Sequence, residues 1–237
     1  MVTQAISAFP QNFRAVVLGS SGAIGQAFMQ LLEADPRCAS VKGFCRSSAP
    51  GFSLEDEPSI IRCAQDVATG GVVHLVIDAT GALVIDGQGP EKRLDALSAE
   101  GLMRAMQVNA IGPALLMKHL VPLLAADQRT VFASLSARVG SIEDNHKGGW
   151  YSYRASKAAL NMLLQSTAIE TYRKRPLSVF AALQPGTVQS RLTQSFVDQA
   201  SAMEPLDSVA RLFNVLESLP PTGRAHFVDY EGRTIPW

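Results

Sequence analysis

Ala15-Val16-Val17-Leu18-Gly19-Ser20-Ser21-Gly22-Ala23-Ile24-Gly25 is the stretch that decides the fold of this chain. A short apolar run enters a glycine cluster, and the glycines open a segment with helical character that reaches Ala34. Strand, glycine turn and helix in that order are the setting a phosphate-binding turn requires. Glycine lets the backbone turn sharply and come close to a ligand. The helix behind it offers free N–H groups and a partial positive charge to an anion. The cluster can therefore hold a dinucleotide pyrophosphate. Its G-x-x-x-G-x-G spacing departs from G-x-G-x-x-G, and a tight loop without a ligand is the competing reading.

The same alternation continues outward. Ala15–Leu18, Val41–Cys45, Ile60–Cys63, Val72–Ala79, Thr130–Leu135, Ser178–Leu183 and Ala225–Val228 read as strands. Ala23–Ala34, Ala99–Leu124, Tyr151–Tyr172 and Asp207–Leu216 read as helices. Continuously apolar strands separated by helices indicate a parallel sheet covered on both faces. The expected fold is α/β: one Rossmann-like, doubly wound domain over residues 1–237, with about seven strands. Ligands in such sheets sit outside the carboxyl ends of the strands, and the candidate residues below all follow an apolar run or open a helix. Two features are irregular. The connection from Cys63 to Val72 is too short for a crossover helix, and Gly81–Leu97 reads as a loop beside the ligand cleft.

Composition excludes several classes. Lys and Arg balance Asp and Glu at 21 each, so no electrostatic footprint for nucleic acid or an anionic membrane exists. Cys38, Cys45 and Cys63 are odd in number and form no C-x-x-C pair, which indicates neither a disulfide framework nor zinc. Met1 to Phe13 lacks the features of a signal peptide, and Leu115–Ala126 is too short and polar to span a membrane. The expected location is the cytoplasm. His74 and His119 have no partners at metal-ligand spacing, so no metal is expected.

Tyr153-Arg154-Ala155-Ser156-Lys157 places a phenol and an ammonium one helical turn apart, able to face one pocket. With the glycine turn, they suggest hydride transfer coupled to proton transfer at a carbonyl oxygen. At the end of the second strand, Gly43-Phe44-Cys45-Arg46-Ser47 lacks the acidic residue that would receive a ribose 2′-hydroxyl. Arg46 and Ser47 suit a 2′-phosphate instead, which predicts NADP(H) over NAD(H).

From about Arg14 onward the chain resembles the short-chain dehydrogenase/reductase family, within it most the C-factor-like carbonyl reductase branch. Ser136-Ala137-Arg138-Val139-Gly140-Ser141-Ile142, the run Gly148 to Asn161 containing Tyr153 and Lys157, and the ending Ile235-Pro236-Trp237 carry the likeness. The resemblance implies a NAD(P)-dependent oxidoreductase acting on a small carbonyl or alcohol. It gives Gly19, Ser21, Gly22, Ile24 and Gly25 to the pyrophosphate turn, and Asp66-Val67 to the adenine. Asp78-Ala79-Thr80-Gly81 stands where the family has Asn-Asn-Ala-Gly, and Pro185-Gly186-Thr187-Val188 fits the loop against the nicotinamide. Tyr153 becomes the general acid/base, Lys157 the charge that lowers its pKa and holds the ribose, and Asn109 the residue that disturbs its helix to hold a water.

The serine departs from the pattern. The family shows Asn-Ile-Ser-Ser with the second serine three residues before a glycine. Aligned on Gly140, Ala137 takes that place, and Ser136 serves only if a bulge redirects it. Trp150, Ile142, Leu83 and Val188 as substrate-facing residues suggest an apolar or aromatic substrate. Helices 99–124 and 151–172 suggest a homodimer or homotetramer, as in relatives. A non-catalytic cofactor-sensing or signalling protein is the alternative, favoured by the Ala137 and Asp78 departures and disfavoured by intact Tyr153 and Lys157.

Overall fold

Phe13–Leu18 (β1), Cys38–Phe44 (β2), Leu75–Asp78 (β3), Thr130–Leu135 (β4), Ser178–Gln184 (β5) and Ala225–Asp229 (β6) form one sheet in the order β2-β1-β3-β4-β5-β6. Every neighbouring pair is parallel. The computed structural model describes residues 9–49, 51–190 and 201–237. From β1 the chain first builds outward to β2, then returns across β1 to β3, so the winding reverses there. That reversal leaves a crevice above the carboxyl ends of β1 and β3.

The strands are apolar on both sides because helices cover both faces. Val16, Leu18, Val76, Phe132, Phe180 and Phe227 pack towards Glu57–Ala68 (α2), Gly112–Leu120 (α4) and Tyr151–Tyr172 (α5). Ala15, Val17, Leu75, Ile77, Val131 and Ala181 face the other way, onto Ala23–Ala34 (α1) and Pro205–Ser218 (α6). Burying one large side chain of this kind stabilises the fold by about 1.5–3 kcal/mol.

Six strands stand among the described residues, not seven. Ile60–Cys63 lies inside α2. Its buried residues Ile60, Cys63, Ala64 and Val67 recur at helical spacing, and Pro58 starts the helix, whereas Ile61 points outward. The paired Ile60-Ile61 imitates a strand, and α2 is itself the crossover that the sequence seemed to lack. The helix expected over 99–124 is also divided. Ala99–Met106 (α3) runs into a π-helical turn, Gln107–Ile111, before α4. Pro113 has no N–H for the carbonyl of Asn109 four residues back, which favours a widened turn there.

The glycine turn is held by backbone. Gly19 and Ser20 both donate N–H to the Phe44 carbonyl, at 2.8 and 3.1 Å. Gly19 adopts φ 78°, and a Cβ on Gly25 would lie 2.2 Å from the Gly19 carbonyl oxygen. No flexible side chain can yield at that contact. We expect Gly25→Ala to lower unfolding free energy by about 2–3 kcal/mol and to weaken dinucleotide binding, read from urea denaturation and titration. Wild-type stability in the variant would show that the turn is not tight.

Candidate active site

α1 starts at the glycine turn without a side-chain cap and without an acidic residue in its first turn. Its end N–H groups are therefore directed at whatever occupies the crevice. Cys45 to Ser48 follow β2 on the near side. The hydrogen bond with Ser47 pulls the Cys45 thiol down to about 7, with partial burial opposing it and Ser21 and Ser20 contributing. Arg46 is exposed, and its guanidinium has no partner among the described residues. This donor set of uncapped helix, hydroxyls and a free guanidinium fits a phosphate-bearing dinucleotide.

Asp66 and Val67 are not brought to this cleft. They lie near the end of α2, whose last carbonyls approach Arg14 at the amino end of β1: Arg14 Nη2 donates to Val67 O at 3.4 Å. Val67 is fully buried in the core, and Asp66 accepts from Lys42 Nζ at 2.9 Å. The expected adenine pair is thus a packing residue and a partly exposed ion-pair partner at the opposite end of the sheet.

Tyr153 and Lys157 are brought together on the first two turns of α5, with the Lys157 ammonium 5.9 Å from the Tyr153 ring centroid. Lys157 is 3% exposed and donates to Leu135 O at 2.9 Å. Burial lowers its pKa to about 8, against the pull of the Asp78 charge. The phenol moves the other way from the sequence expectation. Burial pushes Tyr153 up to about 12. Tyr153 is held as a protonated phenol.

Asn109 occupies the π turn, fully buried. Its Oδ1 accepts from Ala82 N at 2.8 Å and its Nδ2 donates to Ala82 O at 2.9 Å. Gly81, at φ 126°, passes between Asn109 and Lys157; a Cβ there would lie 3.0 Å from Asn109 Oδ1 and 3.1 Å from Lys157 Nζ. Asp78 ends β3 directly below. Burial pushes its carboxyl up, while Thr80 N–H, the Thr80 hydroxyl and the Ser134 hydroxyl all donate to it and Lys157 favours its charge.

Ser136 is turned away from Tyr153. Its hydroxyl donates to Asn161 Oδ1 at 2.7 Å. Asn161 lies two turns beyond Tyr153, about 12 Å along α5. Ala79 and Thr80 stand with Gly81 above β3, and Ala79 O would meet a Cβ on Gly19 at 2.8 Å. Pro185 to Val188 follow β5; Gly186 adopts φ 80° against the Tyr230 ring, and Val188 is buried beside Met203.

A cleft of about 460 Å³ opens beside Tyr153 and Asn109. Loop residues 82–92 and α3 form its walls, as expected for the segment after β3. Its lining is mixed: apolar surface from Leu83, Ile85, Pro90 and Ala105 predominates, and Asp86, Glu91, Lys92, Glu100 and Arg104 add charge. Ile142 is absent from it, lying 79% exposed in a separate groove with Met162 and Trp237. Trp150 meets the Tyr153 ring edge-on at 6.1 Å from a left-handed backbone, φ 54°. A non-glycine residue there is strained by about 1–2 kcal/mol.

Sequence reading missed two residues that build this corner. Glu91 contacts the start of α5 from the cleft loop, and Arg154 Nε and Nη2 donate to Gly149 O and Gly148 O, at 2.9 and 3.2 Å. A signal existed in the absence of Ser, Thr, Asp or Asn just before Tyr151, which leaves α5 needing a cap from elsewhere. No group of three or more potential metal ligands occurs among the described residues, and no described helix is long and apolar enough to cross a membrane.

Comparison with known proteins agrees with this geometry. The chain is 29% identical over 189 residues to 1-hydroxy-2-glutathionyl-2-methyl-3-butene dehydrogenase of Rhodococcus sp. (strain AD45), covering 79% of each. It is 34% identical to the C-signal protein of Myxococcus xanthus, over 57% of this chain and 78% of that one. An NADPH-bound carbonyl reductase from chicken fatty liver shares the fold at a TM-score of 0.81 and 24% identity, over 97% of this chain and all of the other. The family model described as short chain dehydrogenase matches residues 49–201, more than half of the chain. With its parallel sheet, glycine turn and Tyr-Lys helix, the chain belongs to the short-chain dehydrogenase family of oxidoreductases.

Proposed function

We propose that this single-domain chain is an NADP(H)-dependent reductase of a small carbonyl compound, or the alcohol dehydrogenase in reverse, with Tyr153 as general acid/base. One observation carries the reading: Tyr153 and the Lys157 ammonium lie together at the carboxyl edge of the sheet, beside the cleft. When bound, the nicotinamide dinucleotide supplies or takes up the hydride. Gly19, Ser21, Gly22, Ile24 and Gly25 hold its pyrophosphate, Arg46 and Ser47 its 2′-phosphate. Ala79, Thr80, Gly81, Asn109, Lys157 and Pro185 to Val188 line its remaining course. Tyr153 donates its phenolic proton to the carbonyl oxygen in reduction, for which a phenol kept protonated by burial is suited. The Lys157 ammonium stabilises the phenolate left behind, which takes a proton from solvent before the next turnover.

The NADPH bound to the chicken enzyme supports the cofactor choice as a fold-level analogy. The mixed lining of the cleft admits a carbonyl compound that is apolar near its reactive group and polar at its periphery. The glutathionyl substrate in the Rhodococcus relative's name is of that kind. A second copy would meet the exposed Met103, Ile111, Met162, Ile169 and Tyr172 on α3–α4 and α5. The C-signal relative favours a second reading as a signalling protein; turnover that disappears in Tyr153→Phe would sink it.

Three outcomes test the proposal. Tyr153→Phe should lower kcat by about 10²–10⁴-fold in a panel of carbonyl compounds, with NADPH affinity kept. Ser136→Ala should change kcat far less, because that hydroxyl faces Asn161; an equal loss in both variants would return Ser136 to the chemistry. Arg46→Asp should reduce the ratio of NADPH to NADH affinity, measured by calorimetry, and an unchanged ratio would remove Arg46 from cofactor choice.

The pH profile gives a further test. Reduction should fall above a pH of about 8, where the buried Lys157 loses its proton. Its folded pKa lies below the unfolded value of about 10.4, so its contribution to stability rises over that same window. Activity and this contribution therefore move in opposite directions between those limits. A profile flat to pH 10 would separate Lys157 charge from turnover.

A further inference from the structure

α5 carries the catalytic pair but has no cap of its own. Trp150 precedes it with no side-chain hydrogen bond to the helix end, and the first turn holds no acidic residue. The approach is also left-handed for three consecutive residues: Gly148 and Gly149 at φ 63°, then Trp150 at φ 54°. A long helix that starts in this way has orphan N–H groups next to the reacting phenol and no local acceptor to cap them.

Glu91 supplies the missing contacts from far away in the sequence. Its carbonyl accepts from Trp150 N at 2.5 Å. Its carboxylate accepts twice from Ser152, through Oε2 from the backbone N at 3.0 Å and through Oε1 from the side-chain hydroxyl. Ser152 is buried and immediately precedes Tyr153. Burial tends to raise the Glu91 carboxyl, but the bonds from the Ser152 side chain and backbone outweigh it and hold the group below the usual range. The same carboxylate stands near the start of α3, where a Cβ on Gly101 would lie 3.7 Å from Oε1. Glu91 also lines the cleft. One side chain thus joins the cleft wall to the residue beside the general acid.

We propose that Glu91 is the positioning residue of this active site: an N-cap donated in trans that sets the first turn of α5, and with it the Tyr153 hydroxyl, against the cleft loop. A carboxylate suits the role because it accepts both Ser152 bonds at once and complements the positive end of the helix. Arg154 holds the other side of the same corner through Gly148, Gly149 and Val139 carbonyls. The start of α5 is thus clamped between an anion from the loop and a cation from the helix itself. As a statement about catalysis this rests on the carbonyl-reductase reading, but the clamp has a readout of its own.

The test compares Glu91→Ala, Glu91→Gln and Ser152→Ala with wild type in the full chain. Kinetics on the best carbonyl compound, NADPH titration and near-ultraviolet circular dichroism are measured for each. Trp150→Phe identifies the part of the dichroism that comes from the Trp150–Tyr153 ring pair. Glu91→Ala should lower kcat by about ten- to a hundred-fold while substrate KM and NADPH affinity change little, and the ring-pair dichroism should collapse. Ser152→Ala, which removes only the side-chain arm, should fall between, and the double variant should lose less than the product of the two single effects. Glu91→Gln should recover part of both signals, since it keeps one acceptor. A folded Glu91→Ala protein with wild-type kcat, or one that loses cofactor affinity and kcat in parallel, would overturn the proposal. If Glu91→Ala does not fold, Ser152→Ala and Glu91→Gln carry the same decision. Should wild type reduce no carbonyl compound, the reductase reading fails, and unchanged dichroism in the variants would separately sink the clamp.

Discussion

Keeping an ammonium out of water is the constraint on which the carboxyl edge of this sheet depends. Lys157 is buried, and a buried ammonium without partners would be neutralised or would draw water into the core. Its proton-bearing nitrogen is met by the carbonyl of Leu135 at the end of β4, and Asp78 at the end of the neighbouring β3 supplies the opposite charge within the same buried layer. The chain leaving β3 must then pass very close, which is why residue 81 is a glycine at positive φ. Asn109 secures that passage by pairing with both backbone groups of Ala82, and the π turn that carries it aims its amide there. Strand ends, loop and two helices are fixed together around one charge, and Tyr153 follows one turn before it.

This arrangement explains the division between what the sequence made legible and what it did not. The glycine turn, Tyr153 and Lys157 are local patterns, whose spacing along one turn or one helix already decides which residues can share a face, whereas Asn109 came from the family resemblance. The parallel sheet was legible for a similar reason, since Val16 to Leu18 or Val179 to Leu183 could be apolar throughout only if covered on both sides. Ile60–Cys63 was not, because four residues are too few to distinguish a strand from one turn of an apolar helix face. Asp66-Val67 failed with it. Once the run is helical, the pair falls at the far end of α2, beside Arg14, and no longer at a strand's carboxyl end.

Ser136 and Glu91 mark a different limit. Ser136 stands one strand position from the place where the family has its serine, and its hydroxyl is engaged by Asn161 on a helix that the serine's own neighbours do not mention. Glu91 is an ordinary acidic residue in a loop rich in glycine and charge. Its importance arises from a helix 61 positions away that lacks a cap. Pairwise contacts of this kind become visible only when both partners are placed, although the uncapped start of α5 is itself a readable request for one.

The four residues expected to face the substrate are divided for the same physical reason. That expectation took Trp150, Ile142, Leu83 and Val188 as facing one pocket because each follows a strand or precedes a helix. Position at the carboxyl edge does not specify which side of α5 a residue serves. Ile142 falls on the side of Met162 and Trp237, and Val188 packs inward against Met203, leaving Leu83 in the cleft among Asp86, Glu91, Lys92, Glu100 and Arg104. Three of those charges already have work within the protein: Arg104 and Asp86 pair with each other, Arg104 also with Glu55, and Glu91 with Ser152. What remains towards a ligand is Lys92 and Glu100, both exposed in the cleft lining. The cleft thus has an aromatic corner at the phenol and side chains of both charge signs in the rest of its wall, so its two parts differ in chemistry.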